Sequence, residues 1–178
     1  MSTTTYATPT DDQINWRQAD HTHFLPAHLV AFLQTGVTAT LGARSRTGRP
    51  VIGVGMACRV RDMAEVRVLL ARSANLPLID SVMHGSAIAA TFSRASDHRS
   101  IQLKSWQARI CEVAPDDHCE AARQSAILAD ELIELGYSRA QAEVYAFCNV
   151  TDLVALAFRP ERVFTQTPGP GAGAELQR

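Results

Sequence analysis

Residues 37–43, 51–60 and 66–71 are three β-rich segments that follow one another with only short turn-like breaks, at residues 45–49 and 61–64. Antiparallel hairpins in series satisfy that order most directly. The lack of regular βαβ alternation argues against a doubly wound α/β sheet. Helical patterns enter later. Asn75 stands where a cap is expected for a helix carrying Leu76, Ile79, Val82 and Met83, closed by Gly85. Two further strands are expected, at residues 87–92 and, as one long run, at 99–113. Ala121, Ser125, Leu128, Leu132 and Leu135 then form the clearest helical stripe, with Asp117 and Glu120 as a capping pair and Gly136 as the stop. A second helix is expected over 138–148, and strand over 153–158 and at Val163-Phe164. Antiparallel strands with helices inserted between them describe an α+β barrel.

The ends read differently. Residues 1–22 are polar without a sustained period and are expected to form a mobile N-terminal arm. Order begins near Phe24, where Pro26 suits a first helical position, Leu25, Leu29, Phe32 and Leu33 recur at helical spacing, and Gly36 ends the pattern. The expected domain is 23–165. Residues 166–178 form a Gly/Pro-rich tail that cannot be a helix or a central strand; it is expected to fold against the barrel or its partner.

With 17 basic and 18 acidic side chains in 178 residues, the net charge of −1 provides no field for nucleic acid or an acidic membrane. No apolar run reaches the length of a membrane span and the start lacks a signal-peptide pattern, so a cytoplasmic location is expected. Cys58, Cys111, Cys119 and Cys148 include no C-x-x-C pair, which leaves buried thiols rather than a zinc site or disulfide framework.

Few motifs carry chemistry. Gly53-Val-Gly55-Met-Ala-Cys58 is not a dinucleotide fingerprint, because its third position is Cys58 and no helix follows. Small residues there would instead let another backbone or a flat ligand approach the strand. His21-Thr-His23 has no ligand partner fixed by sequence and is read as solvated. Hydrolase and P-loop signatures are missing. Arg72-Ser73-Ala74-Asn75 precedes a helix start, where an arginine, a hydroxyl, an amide and unpaired N–H groups would suit an anion such as phosphate; the alternative is that Asn75 only caps the helix and Arg72 is solvated. In Arg99-Ser-Ile-Gln-Leu-Lys-Ser-Trp-Gln, alternation puts Ser100, Gln102, Lys104 and Trp106 on one face. They would border a flat heteroaromatic ligand, or else decorate an edge strand with a solubilising lysine.

The stretch from 37 to 113 resembles the pyridoxamine 5′-phosphate oxidase-like family of FMN-binding split barrels. The order of elements carries the resemblance, together with Val66-Arg-Val-Leu-Leu-Ala-Arg72, Ala87-Ile-Ala-Ala-Thr-Phe-Ser93 and His98-Arg-Ser-Ile-Gln-Leu-Lys104; the tail from Phe164 to Gly173 is similar to that of some uncharacterised members. The resemblance implies an α+β fold with a six-stranded antiparallel split β-barrel and inserted and C-terminal helices. It also implies a homodimer with FMN at its interface. The flavin phosphate would lie at Arg72, Ser73 and Asn75, the ring along Gly55, Met56 and Ala57, and the strand of Ser100, Gln102 and Lys104 nearby.

Basic residues at both ends of the ring strand in the oxidase proper are replaced here by Gly53 and Cys58, and its C-terminal tryptophan-and-arginine segment has no counterpart. The vitamin B6 reaction itself is therefore not expected. The function implied is an FMN-dependent oxidoreductase acting on an unassigned small-molecule substrate, with no catalytic side chain named. The alternative is a non-catalytic flavin- or haem-binding split-barrel protein, for which His84 and His98 are the candidate axial ligands. A structural dimer without cofactor is the third reading.

Overall fold

The computed structural model describes residues 7–21 and 24–177. Two helices, α1 (Pro9–Gln18) and α2 (Ala27–Leu33), precede the strands β1 (Thr38–Arg44), β2 (Pro50–Gly55), β3 (Ala57–Arg61) and β4 (Glu65–Ala71). Helix α3 (Leu76–Met83) is inserted before β5 (Ile88–Ser93), β6 (Ser100–Ser105) and β7 (Ala108–Cys111). Helices α4 (Pro115–Glu134) and α5 (Arg139–Ala146) then lead to β8 (Leu153–Phe158) and β9 (Arg162–Thr165). The strands form a five-stranded sheet in the order β2-β1-β5-β6-β9 and a four-stranded sheet in the order β3-β4-β8-β7, antiparallel at every pairing. Leu41, Val68, Leu70, Phe92, Ile101, Leu103, Leu156 and Phe158 fill the core, all essentially without solvent contact.

The expected α+β class with antiparallel strands holds, but the number of strands differs. Among the described residues nine strands form two sheets, and a closed six-stranded barrel is not shown. The expected run 51–60 breaks at Met56, whose N–H donates to the Leu69 carbonyl at 2.7 Å as the chain passes from the five-stranded to the four-stranded sheet. The run 99–113 breaks at Trp106-Gln107, where the Trp106 N–H donates to Glu161 Oε1 at 3.1 Å. One run therefore serves both sheets, and side-chain alternation gives little sign of the corner. The α4–α5 pair lies between β7 and β8 rather than at the C-terminus.

The polar N-terminal segment, expected as an arm, is helical from Pro9 to Gln18. Thr8 caps α1 reciprocally with Asp11: Thr8 Oγ1 accepts from the Asp11 N–H and Asp11 Oδ2 from the Thr8 N–H. Its buried residues include Asp12 and Trp16, one turn apart. Asp12 accepts from Arg99 Nε at 2.8 Å, Thr165 Oγ1 at 2.9 Å and Thr167 Oγ1 at 2.7 Å. A polar group docks this helix, which is why no apolar stripe announces it. His21 sets its Nε2 against the Trp16 carbonyl at 2.8 Å, while Thr22 and His23 lie outside the described residues.

The tail does fold back, onto β9 of the five-stranded sheet. Leu176 is buried, its N–H donates to the Val163 carbonyl, and Arg162 grips Glu175 with two hydrogen bonds of 2.8 and 2.7 Å. Gly169, Gly171 and Gly173 all adopt positive φ, a conformation that glycine takes without strain. Among the described residues, no helix is long and apolar enough to cross a membrane.

Candidate functional site

Arg72, Ser73 and Asn75 do come together, in a short turn between β4 and α3. Their polar groups, however, are engaged by the chain itself. The Ser73 N–H donates to both carboxylate oxygens of Asp152, at 3.3 and 3.2 Å, and Ser73 Oγ donates to Asp152 Oδ2 at 2.5 Å. The Arg72 N–H donates to the Asp152 carbonyl at 2.7 Å, and its guanidinium reaches Glu112 Oε1 at 3.3 Å. Asn75 is buried and makes no capping bond to α3. Instead its Oδ1 accepts from the Val54 N–H at 2.9 Å, while Nδ2 donates to the Ala71 carbonyl at 2.8 Å and the Val54 carbonyl at 3.3 Å.

The segment around Gly55, Met56 and Ala57 is also occupied from within. A methyl group added to Gly53 would meet Leu78 and Asn75 at 2.5 Å, and one on Gly55 would meet Val68 Cγ1 at 2.3 Å. The small residues admit the protein's own core rather than a flat ligand. Ala57 packs with Leu69, Ala121, Leu153 and Ala155 beneath α4. On the free edge of β3, Cys58 donates its N–H to Gln124 Oε1 at 3.0 Å and accepts from Gln124 Nε2 at 2.6 Å, and the Val60 N–H donates to Gln34 Oε1 at 2.8 Å. Side-chain amides here take the place of a next strand. Burial, with the nearby Glu120 charge, pushes the Cys58 thiol up, so it is no ready nucleophile. Of the other thiols, Cys111 and Cys148 are half-buried and Cys119 is exposed, where buried thiols were expected.

Ser100, Gln102 and Lys104 lie elsewhere, on the outer face of β6, three places from β2 in the five-stranded sheet. Pairing spacings put that separation at about 14 Å. Ser100 Oγ donates to Ser93 Oγ at 2.8 Å and Gln102 Nε2 to Thr91 Oγ1 at 2.9 Å. The Lys104 ammonium sits 4.3 Å from the centre of the Phe164 ring. Register carries one row across this face, Ile52, Gly42, Ala89, Lys104 and Arg162. Beside it opens a groove of about 320 Å³ with Gly42, Ala89 and Ile88 in its lining, Lys104 and Arg44 as cations and the exposed Trp106 indole at its rim. The hydrogen bonds and charge of Arg162, helped by the charge of Lys104, hold the Glu175 carboxyl below its ordinary range. Lys104 and Trp106 of the groove lining stand out in the sequence by alternation along one strand. Gly42 and Ala89, small residues inside ordinary strands, do not, and neither do Gln124 and Asp152, whose partners are 66 and 79 residues away.

Neither a family model nor a curated protein matches the sequence. Solved structures do match. HupZ of Group A Streptococcus superposes with a TM-score of 0.53 at 13% identity, over 84% of this chain and 98% of that one. At that identity the likeness is one of fold. A pyridoxamine 5′-phosphate oxidase-related, FMN-binding protein of Nostoc punctiforme matches with 10% identity, 81% of either chain and a TM-score of 0.45. A general stress protein 26-related protein of Clostridium acetobutylicum, of the pyridoxinephosphate oxidase family, matches with 13% identity, 76% of this chain, 82% of that one and 0.43.

The residues around Arg72 do not fit the phosphate of FMN, because two carboxylates already face the loop and the buried Asn75 is turned to β2. The β6 groove, at about 320 Å³, has the volume of the smaller small-molecule sites. Its lining combines small residues, an indole and a cation in the way small-molecule sites do.

Proposed function

We propose that this protein is a homodimeric split-barrel protein that binds a flavin-type planar ligand over the outer face of β1, β5 and β6, at the junction of two protomers. The β6 groove carries the reading: Gly42 and Ala89 leave room for a ring, Trp106 offers a stacking surface, and Lys104, seated over the Phe164 ring, would set its charge beside an electron-rich edge of the ligand. Ile52 and Val54, 73% and 55% exposed on the same face, supply the apolar surface that a second copy would cover. Bound flavin would supply hydride or electron transfer, with the protein contributing position and charge. Oxidoreductase activity on a small-molecule substrate, with FMN as the first flavin to try, is the finer form of this proposal.

The visible spectrum of the purified protein, followed by titration with FMN and riboflavin, tests it. Lys104→Ala and Trp106→Ala should each weaken flavin binding by about 10-fold, the equivalent of 1.4 kcal/mol. A colourless protein that quenches neither flavin's fluorescence overturns the reading. One observation favours haem as a second candidate. His84 Nδ1 lies 2.7 Å from the Asp80 carbonyl, which can only accept, so the neutral ring would present the Nε2 lone pair to a groove lined also by Arg44, Arg46 and Trp106. A Soret band lost in His84→Ala would select it.

A further inference from the structure

The Arg72 loop has the parts of an anion site and is nevertheless filled. A backbone N–H and a hydroxyl, both from Ser73, converge on one acceptor, the arrangement that would receive a phosphate oxygen, and that acceptor is the Asp152 carboxylate. The Arg72 N–H fixes the same residue by its carbonyl at 2.7 Å, so Asp152 is tied to the loop by main chain as well as side chain. Glu112 approaches the guanidinium of Arg72 at 3.3 Å, adding a second negative charge on the outer side. Asp152 arrives on the short turn Val150–Asp152 that joins α5 to β8, and Glu112 directly follows β7. Both carboxylates thus come from the ends of the β7–β8 connection that carries α4 and α5. The same connection brings Gln124 to the Cys58 backbone, and Ala121 onto Ala57, where the resemblance puts the flavin ring.

We infer that Asp152 is a built-in substitute for a ligand phosphate, so that the Arg72 loop rejects phosphoryl groups and the protein selects ligands without a phosphate at this position. A second anion placed there would meet a fixed carboxylate at hydrogen-bond range, with its donors already taken. Removing that carboxylate should free the Ser73 N–H and Oγ together. The inference does not depend on flavin binding, because the loop is complete within one chain.

Inorganic phosphate is the probe, titrated at constant ionic strength into the full-length ¹⁵N-labelled protein while the Ser73 backbone amide is followed by NMR. The wild-type amide should stay silent. In Asp152→Ala it should shift saturably, with an apparent affinity at least about 10-fold above any wild-type response. Asp152→Asn, which keeps the shape and an acceptor oxygen but removes the charge, should fall between the two and protects the test should the alanine variant fold poorly. A saturable wild-type response overturns the inference, and so does silence in both variants. FMN and riboflavin titrated into the same proteins separate this outcome from the flavin reading: if neither flavin binds but the phosphate responses are as expected, the ligand class changes and the role of Asp152 stands.

Discussion

Arg67 and Asp117 are both withdrawn from water, with side-chain exposures of 4% and 0%. Asp117 Oδ2 accepts from Arg67 at 2.5 Å and from the Ala114 N–H at 2.8 Å, while Arg59 contacts Oδ1 at 3.4 Å. Burial pushes the Asp117 carboxyl up, but the hydrogen bonds and charges of its partners outweigh burial and hold it below the ordinary range. The folded pKa is therefore below the unfolded value of about 3.9. The stability that follows is complete above that value and is lost as pH falls through the folded pKa. Asp117→Asn should remove about 3 kcal/mol at neutral pH, because Arg67 keeps its burial and loses its counter-charge. Urea unfolding across pH should also show a flatter acid limb in the variant. The same residue shows what sequence could and could not convey. Asp117 reads as a helix-capping acid, which its bond to Ala114 supports, yet its pairing with a strand arginine 50 residues earlier has no local signal. Asn75 was legible as a residue at a helix start, but its use as a clamp on Val54 follows from the distance between α3 and β2, which only the fold determines.

At the scale of elements, the free edges of β2 and β3 meet carboxamides. Asn75 covers Val54, Gln124 covers Cys58 and Gln34 covers Val60, satisfying strand groups that would otherwise seek another chain. Gln124→Ala should cost about 2 kcal/mol by stranding the Cys58 N–H and C=O. Reduced thermal stability with faster aggregation on heating would show the edge being released. The C-terminal tail is a second such element. Deleting residues 168–178 removes Leu176 from the core, which by itself should lower stability by about 2–4 kcal/mol. Unchanged melting would refute a structural role. Strand order and helix order were readable because alternation and the Leu128–Leu132 stripe are local properties. The corners at Met56 and Trp106 were not, since a strand that changes sheets keeps its period of two. Helix α1 was missed because its buried face is an aspartate and a tryptophan rather than an apolar stripe.

For the whole molecule, the outer face of the five-stranded sheet is the exposed surface with the greatest consequence. Ile52, Val54 and Trp106 stand out from it around small residues and one lysine. Light scattering at micromolar concentration should give twice the 19.4 kDa chain mass. Ile52→Lys together with Val54→Lys should return the chain mass without loss of secondary structure, whereas a dimer that survives both changes uses another face. The fold was readable as a class because hairpin order dictates it. The candidate site was readable only in its β6 half, where Gln102, Lys104 and Trp106 alternate along one strand. The half around Arg72 is governed by residues from the α4–α5 connection, whose packing is a property of the completed chain.

The clamp on Asp12 bears on how this protein is made. Its Thr165 and Thr167 partners lie 153 and 155 residues downstream. On a ribosome synthesising about 5–20 residues per second, α1 emerges first and finds these partners last. Until Thr167 clears the exit tunnel, Trp16 has no completed surface to bury against. A ten-residue helix is marginal by itself in water, so α1 gains its stability only when these partners arrive, and its docking marks the end of assembly.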